Sequence, residues 1–208
     1  MSRYTGSVCK QCRTETEKLF LKGDKCNANC TFERKRGKNA PGQHGASRRG
    51  KISDYAKHLR EKQKAKRVFG LTEQQFKRYF LVADKMPGMT GDSLMKLLEL
   101  RLDNAIFKLG FSFSRKMARQ LVIHGLVMVN GKKIDVPRYQ VKTGDVITVK
   151  EKYKTNANLV KLMENPVAVP SWLEFDKATI TGKVKNEPSV EEFSHPINSQ
   201  LIVELYSK

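Results

Sequence analysis

The chain has 208 residues, of which 40 are Lys or Arg and 21 are Asp or Glu, so its formal net charge is +19. This excess indicates a polyanionic partner, and no apolar run approaches the roughly 18 residues needed to span a bilayer, so nucleic acid is a better candidate than a membrane. The beginning of the sequence lacks the apolar core of a signal peptide, and we therefore expect a cytoplasmic protein.

The positive charge is concentrated in the first two-thirds of the chain. Residues 1–70 carry 19 basic and 6 acidic side chains, residues 71–150 carry 14 and 7, and residues 151–208 carry 7 and 8. A surface that is only solvated mixes both signs, so we expect the first 150 residues to contact the polyanion. The remaining quarter is expected to serve the fold or a protein neighbour.

Residues 1–50 contain all four cysteines and almost no apolar periodicity, so they need a source of order other than a hydrophobic core. The cysteines form two close pairs, Cys9-x2-Cys12 and Cys26-x3-Cys30, with thirteen residues between the pairs. This spacing is typical of four-thiolate metal sites and predicts one structural Zn²⁺ in a zinc knuckle. An iron–sulfur cluster and four unligated thiols are the alternatives.

The second half of this segment is rich in basic residues around the glycine-containing run Pro41–Gly45. Glycine allows a sugar–phosphate backbone to approach closely, and amide or imidazole groups can bond to base edges and 2′-hydroxyls. We therefore expect RNA contacts here, against the alternative of a flexible tail without specific contacts. The candidate residues are Lys35, Arg36, Gln43, His44, Arg48 and Arg49, together with Arg60 and Arg67 on the basic helix that follows.

Residues 51–91 are predicted to form a helical domain. A first helix starts at Ser53 or Asp54, either of which can cap it. Thr72 and Gln75 have the spacing of a capping box, which predicts the start of a second helix. The side chains expected on the buried face of this second helix are Phe76, Tyr79, Phe80 and Ala83.

Residues 92–150 are the best-defined unit. Apolar residues at helical spacing predict one helix from Asp92 or Ser93 to Leu109, and Ser114 caps a second, shorter helix. An Asn-Gly turn between apolar runs predicts a β-hairpin, so we expect two helices packed on a small antiparallel sheet. The predicted strands are Val127–Val129, Lys133–Ile134 and Val146–Val149, with the turn at Asn130-Gly131.

The shorter helix carries basic residues opposite its apolar face, namely Arg115, Lys116 and Arg119. The first two lie in the first turn, where the helix dipole also favours phosphate. Arg101, on the polar face of the longer helix, is expected to join this surface. A solvated charged face is the alternative. His124, at the helix end, is interpreted as a dipole-stabilised cap or an RNA contact rather than a general base.

The sequence contains no complete catalytic motif. Gly45-x4-Gly50-Lys51 is close to a phosphate-binding loop, but Ile52 follows where Ser or Thr would hold magnesium. The four histidines are scattered, and the signatures of metalloproteases, serine hydrolases and dinucleotide enzymes are missing. We therefore expect neither an enzyme nor a small-molecule substrate.

Residues 151–208 contain several prolines, one tryptophan and the apolar run Leu201–Val203. The apolar run is predicted to be a strand because consecutive β-branched and apolar residues favour that conformation. Trp172 is expected in the core rather than on an RNA-stacking surface.

Dense motifs lie along the whole chain. The most specific of them extends from Glu99-Leu100-Arg101-Leu102-Asp103-Asn104 to His124-Gly125 and continues into Val129-Asn130-Gly131-Lys132-Lys133. Others are Arg3-Tyr4-Thr5-Gly6, the cysteine pairs, Pro41-Gly42-Gln43-His44-Gly45 and Gln200-Leu201-Ile202-Val203-Glu204. In this order the motifs resemble those of the small-subunit ribosomal protein S4 family, in its bacterial form.

Together, the residue patterns and the resemblance predict an α+β fold. It has an N-terminal zinc knuckle, a mainly helical domain that the C-terminal segment completes, and an inserted RNA-binding module of two helices on a small antiparallel sheet. The predicted segments are 1–50 for the knuckle and basic stretch, 51–91 for the helical domain, 92–150 for the module, and 151–208 for C-terminal strands and the return to the helical domain.

The resemblance implies a structural constituent of the small ribosomal subunit that binds 16S rRNA, nucleates assembly of the subunit body and contributes to translational accuracy. The implied partners are 16S rRNA, neighbouring ribosomal proteins, especially S5, and mRNA. An RNA-modifying enzyme with the same module is disfavoured because no catalytic domain accompanies it, and a zinc-dependent DNA-binding regulator would need a recognition helix that is not apparent. The RNA contacts implied by the motif of the module are Arg101, Arg115, Lys116, Arg119, His124 and Lys132. Arg3 is a further candidate RNA contact.

Overall fold

The structure is a computed structural model that describes residues 4–34, 37–47, 51–164, 168–189, 192–193 and 196–207. The chain forms two compact units, one comprising Met1–Leu94 with His195–Lys208 and the other comprising Met95–Ser194. The C-terminal segment therefore belongs to the same unit as the N-terminal part of the chain. Among the residues that the structure describes, no helix combines the length and the apolar composition needed to cross a membrane.

Helices make up the first half of the described chain, and the named strands begin at Val127. The helices are α1 (Val8–Glu15), α2 (Asp24–Ala28), α3 (Asp54–Val68), α4 (Glu73–Ala83), α5 (Thr90–Glu99), α6 (Leu102–Lys108), α7 (Arg115–Ile123), α8 (Glu151–Lys154), α9 (Ala157–Glu164) and α10 (Ser199–Tyr206), and the strands are β1 (Val127–Val129), β2 (Lys132–Lys133), β3 (Val146–Val149), β4 (Leu173–Asp176) and β5 (Thr181–Val184).

Capping side chains fix where helices α3 and α4 of the first unit begin. The Ser53 hydroxyl accepts a hydrogen bond from the amide of Ala56 at the start of α3, and the complete predicted capping box of Thr72 and Gln75 starts α4. The expected inner face of α4 is largely confirmed, since Phe76, Phe80 and Ala83 are buried and Tyr79 is half-buried.

The run Leu201–Val203 lies in helix α10, so the prediction of a strand there is wrong. The Asn198 side chain accepts hydrogen bonds from two amides in the first turn of α10 and thereby satisfies donors that would otherwise lack a partner. Ile202 is fully buried, and α10 packs against α3 within the first unit. Tertiary packing and a capping residue thus outweigh the β-propensity of the run.

The second unit is built on a five-stranded antiparallel sheet with the order β2-β1-β3-β5-β4. Val129 pairs with Ile147, which in turn pairs with Gly182 on β5. Side chains of α6, α7 and the strands share one core, in which Trp172 is 1% exposed. The expected mixture of helices with a small antiparallel sheet is confirmed, and strands β4 and β5 extend that sheet beyond the predicted module.

The helix predicted to run without a break to Leu109 is interrupted, and that expectation is wrong. Helix α5 ends at Glu99 and α6 begins at Leu102. Between them Arg101 forms a β-bridge with Gln140, and the amide of Leu102 donates to the carbonyl of Tyr139 at 2.9 Å. Because of this pairing, backbone groups at the break form hydrogen bonds with a segment outside the helix. The helix can therefore be interrupted although the apolar periodicity of the sequence continues.

Candidate nucleic-acid interface

Helix α7 is the central element of the candidate interface. The Ser114 hydroxyl accepts a hydrogen bond from the amide of Met117 and caps the helix, as the sequence predicts. At the other end, Gly125 has a φ of +64°, which suits a glycine directly after a helix. The apolar residues Ala118 and Leu121 are buried in the core. Burial of this face fixes which side of α7 is turned outward.

The three basic residues of α7 do not share one exposed face. Lys116 is exposed and both Arg115 and Arg119 are half-buried, and the guanidinium of Arg115 contacts residues of α6. The Arg115 Nε donates to the Asn104 Oδ1 at 2.8 Å, and its guanidinium lies 4.6 Å from the centroid of the Phe107 ring. Burial lowers the pKa of Arg115, while nearby carboxylates oppose that shift. Lys116 is thus the most accessible cation in the first turn.

Arg101 is buried rather than displayed on the polar face of a helix, which corrects the expected position. It is 2% exposed, and its guanidinium makes a two-pronged pair with the Asp103 carboxylate, with N–O distances of 3.0 Å and 2.5 Å. The break between α5 and α6 turns the side chain inward, where a charged group requires a partner. A direct RNA contact by Arg101 stays a prediction, and it would compete with this pair.

Exposed basic groups lie beside the far end of α7. His124 is exposed at that end, and Lys132 is exposed on β2, after a turn in which Asn130 and Gly131 both have positive φ. Lys133 was not among the predicted contacts. Its aliphatic chain lies against Gly125, where an added Cβ would overlap Cε of the lysine, so the ammonium is held close to the end of α7.

Several basic residues of α3 are engaged by carboxylates within the first unit. The Arg67 guanidinium pairs with Glu15, whose side chain is 2% exposed, and Arg60 lies 3.7 Å from the same carboxylate. Burial raises the pKa of Glu15, and Arg67 and Arg60 oppose that shift. The Lys64 ammonium lies 2.7 Å from the Glu17 carboxylate. The structure therefore gives Arg60 and Arg67 a role in holding the end of α1 on α3, and Lys64 holds Glu17 in the same way. RNA contact by Arg60 and Arg67 stays a prediction.

The glycine-containing run in the first unit displays two predicted contacts. Gln43 and His44 are both exposed. Asn39 and Ala40 precede these residues in the chain, and their carbonyls accept hydrogen bonds from the Arg13 guanidinium of α1 at 2.8 Å and 3.1 Å. These bonds tie this part of the chain to the cysteine-containing segment. The predicted contacts that lie outside the described residues are Arg3, Lys35, Arg36, Arg48 and Arg49.

The four cysteines have the donor chemistry of a thiolate site. Cys12, Cys26 and Cys30 are buried and Cys9 is half-buried. Burial raises the pKa of Cys12, a hydrogen bond with the backbone of Leu19 opposes the shift, and the other three cysteines raise the pKa further, so the four thiols share one neighbourhood. Within the described ranges, however, no group of three or more His, Cys, Asp or Glu side chains is arranged to hold a metal ion. The donors suit zinc or iron–sulfur, and the zinc knuckle stays a prediction.

Comparison with known proteins identifies both parts of the chain. Residues 3–99 match the ribosomal protein S4/S9 N-terminal domain, and residues 100–147 match the S4 domain. The small ribosomal subunit protein uS4 of Endomicrobium trichonymphae is 65% identical over 209 aligned residues, which cover 100% of both chains. Protein uS4A of Clostridium botulinum strain ATCC 19397 and protein uS4 of strain Eklund 17B are each 52% identical over the same full length. The chain belongs to the uS4 family.

The candidate residues are divided between the two regions of the chain that match family domains. Helices α6 and α7 with strands β1 and β2 lie within the S4 domain match, whereas the cysteine pairs and α3 lie within the N-terminal match. Membership of the uS4 family confirms the family that the sequence motifs predicted. It also confirms the prediction that the chain is not an enzyme. The individual RNA contacts stay predictions.

Proposed function

We propose that this chain is a structural constituent of the small ribosomal subunit, acts within the ribosome in the cytoplasm, and binds 16S rRNA directly. The observation that carries the proposal is full-length similarity to relatives named small ribosomal subunit protein uS4, including one at 65% identity. Exposed cations at the two ends of α7, Lys116 at one and Lys132 with Lys133 beside the other, provide suitable chemistry for phosphate.

We further propose that this binding nucleates assembly of the subunit body and that the protein contributes to translational accuracy beside the S5 protein, where mRNA passes. The support is the motif resemblance along the whole chain, together with the net charge of +19. Strong positive charge speeds the encounter of the protein with RNA. Binding that is driven by this charge does not require other proteins to be bound first. Early, direct binding is what a nucleating protein requires.

The proposed RNA binding can be tested on the α7 surface. Replacing Arg115, Lys116 and Arg119 together by Ala should weaken binding to transcribed 16S rRNA by several kcal/mol. The change removes the charged contacts of Lys116 and Arg119, at roughly 1 kcal/mol or more each, and the inward bond of Arg115 that holds the start of the helix. Filter binding at fixed salt measures the change. Unchanged affinity would exclude this surface. The matched control removes the same charge from exposed positions elsewhere in the second unit by replacing Lys161, Lys177 and Lys183 with Ala.

We also propose that Cys9, Cys12, Cys26 and Cys30 bind one structural Zn²⁺. The support is the paired spacing, the thiol donor set and the burial of three of the four side chains. Zinc, when bound, would cross-link the two cysteine pairs and add folding free energy to a segment with few buried apolar residues.

Metal analysis of the purified protein tests this second proposal. We expect one equivalent of zinc per chain, lost in Cys12→Ser together with a lower melting temperature. Ser7→Ala, in the same segment, should keep the metal. Iron with visible absorbance, or a metal-free protein whose stability is unchanged by Cys12→Ser, would contradict the assignment.

A further inference from the structure

A chain of buried polar groups runs through the second unit from α5 to α7. Asn104, on α6, is 1% exposed, and both ends of its amide are bonded. The Nδ2 group donates to the Glu99 carboxylate at 2.5 Å and to the Glu99 backbone carbonyl at 2.9 Å. The Oδ1 atom accepts from the Arg115 Nε at 2.8 Å. The amide therefore links an acidic residue at the end of α5 to a basic residue at the start of α7.

This link reaches the first turn of α7. Arg115 is the first residue of the helix, and its guanidinium stacks over Phe107 of α6 at 4.6 Å while it is bonded to Asn104. A planar guanidinium held by both a hydrogen bond and a ring has little rotational freedom. Since neighbouring positions on a helix are about 100° apart, holding Arg115 inward turns Lys116 outward.

We infer that Asn104 is a positioning residue for RNA binding: acting through Arg115, it fixes the start of α7 so that Lys116, in the first turn, faces the RNA. Arg115 accordingly acts inside the protein rather than as a phosphate contact. This inference rests on the proposed function, because it concerns how the same surface meets 16S rRNA. Glu99, Asn104 and Arg115 lie close together in the sequence, and the fold brings their side chains into contact.

The test measures the affinity of the full chain for transcribed 16S rRNA over a range of salt concentrations. Asn104→Ala should weaken binding about tenfold. It should also flatten the slope of log affinity against log salt by about 0.7 to 0.9, as is expected of Lys116→Ala, because one phosphate contact is lost although no charge is removed from Asn104 itself. Simple partial unfolding lowers affinity without changing that slope. Asn158→Ala, an exposed asparagine on α9, is the matched control.

A double-mutant cycle and a conservative variant separate the two roles of Arg115. If Asn104 acts through Arg115, Asn104→Ala should add nothing in an Arg115→Ala background. Arg115→Lys keeps the charge but lacks the Nε–H, so it should bind as weakly as Arg115→Ala. Additive effects, or full rescue by Arg115→Lys, would overturn the inference even if the Asn104 variant folds poorly.

Lys116→Ala distinguishes this inference from the proposed function. If Lys116→Ala weakens binding and Asn104→Ala does not, the positioning role is wrong and the RNA surface stands. If Lys116→Ala leaves both affinity and salt slope unchanged, the surface itself is wrong, and the positioning role is wrong with it.

Discussion

Glu73, at the start of α4, accepts hydrogen bonds from side chains on two other helices. The Lys62 and Lys66 ammonium groups of α3 lie 2.7 Å and 3.0 Å from its carboxylate oxygens, and the Tyr206 hydroxyl of α10 donates at 3.0 Å. Partial burial would raise the pKa of Glu73, but the two ammonium groups outweigh burial and lower that pKa to about 2. One carboxylate thus ties α3, α4 and α10 together.

The lowered pKa of Glu73 predicts part of the acid response. Because it lies below the ordinary value of 4.5, ionised Glu73 stabilises the fold above pH 4.5, and this contribution is lost as the pH falls from 4.5 towards 2. The side chain is 45% exposed, so after allowance for solvent screening we expect about 1 kcal/mol. Glu73→Gln should lower the free energy of unfolding at pH 7 by that amount and lose less stability on acidification, as measured by urea titration.

Glu151→Gln is the control for this pH prediction. Its carboxylate is 85% exposed and pairs with Lys154 one turn away, so its removal should change stability by less than about 0.5 kcal/mol. Identical acid dependence in wild type and Glu73→Gln would mean that the ionised carboxylate does not stabilise the fold.

Single residues show why the candidate site was predictable only in part. Lys116 and Lys132 are exposed, as their positions in a capped helix and a hairpin indicate. Arg67 and Arg101 turn towards carboxylates instead. The partner of Arg67 is Glu15, 52 residues earlier in the chain, and no local pattern reveals which distant carboxylate will neutralise a basic side chain. The sign of a side chain's charge can be read from a sequence, but the residue with which that side chain pairs depends on the fold.

At the scale of elements, α10 depends on one capping side chain. The Asn198 Oδ1 accepts hydrogen bonds from the amides of Gln200 and Leu201 at 3.1 Å and 3.3 Å. Asn198→Ala should lower the free energy of unfolding by about 1 kcal/mol, because two donors in the first turn lose their partner. Urea unfolding measures the change.

Asn198→Asp is the matched variant for this cap. It keeps an acceptor oxygen and should retain most of the stability, since Asp and Asn are both strong capping residues. Equal stability of Asn198→Ala and wild type would show that packing of Ile202 alone holds α10 in place.

Elements with local signals were the ones that the sequence predicted well. Helix α7 lies between a serine cap and a glycine with positive φ, and the turn between β1 and β2 needs Asn130 and Gly131 for the same conformational reason. The break at Arg101 and the strands β4 and β5 depend instead on pairing with residues far along the chain. Periodicity does not record such pairings, so the break in the helix and the place of β4 and β5 in the sheet could not be predicted.

At the scale of the whole molecule, the net charge of +19 predicts a steep salt dependence of RNA binding. Four exposed or half-exposed cations around α7 and β2, each neutralising one phosphate, give a slope of about −3 to −4 in log affinity against log salt. Raising salt from about 50 mM to about 200 mM should therefore weaken binding to 16S rRNA by about 60-fold to 250-fold. The four residues are Lys116, Arg119, Lys132 and Lys133.

Filter binding across this salt range checks the prediction. A variant with Lys116, Lys132 and Lys133 replaced by Ala should show a slope flatter by about 2 to 3. A loss of affinity below about tenfold for the wild-type chain would mean that few phosphates are neutralised and that uncharged contacts carry the binding.

The return of α10 to the first unit has a consequence for synthesis of the chain. The Lys64 ammonium donates to the carbonyl of Pro196, 132 residues later, whereas Met95–Ser194 closes its own core within its own span. A ribosome translating this chain therefore delivers every residue of the second unit before the helix that completes the first. Domains usually mature in the order of their synthesis, but here the segment made first is the last to be finished. Until then, the surface of α3 that α10 will cover stays exposed on the nascent chain.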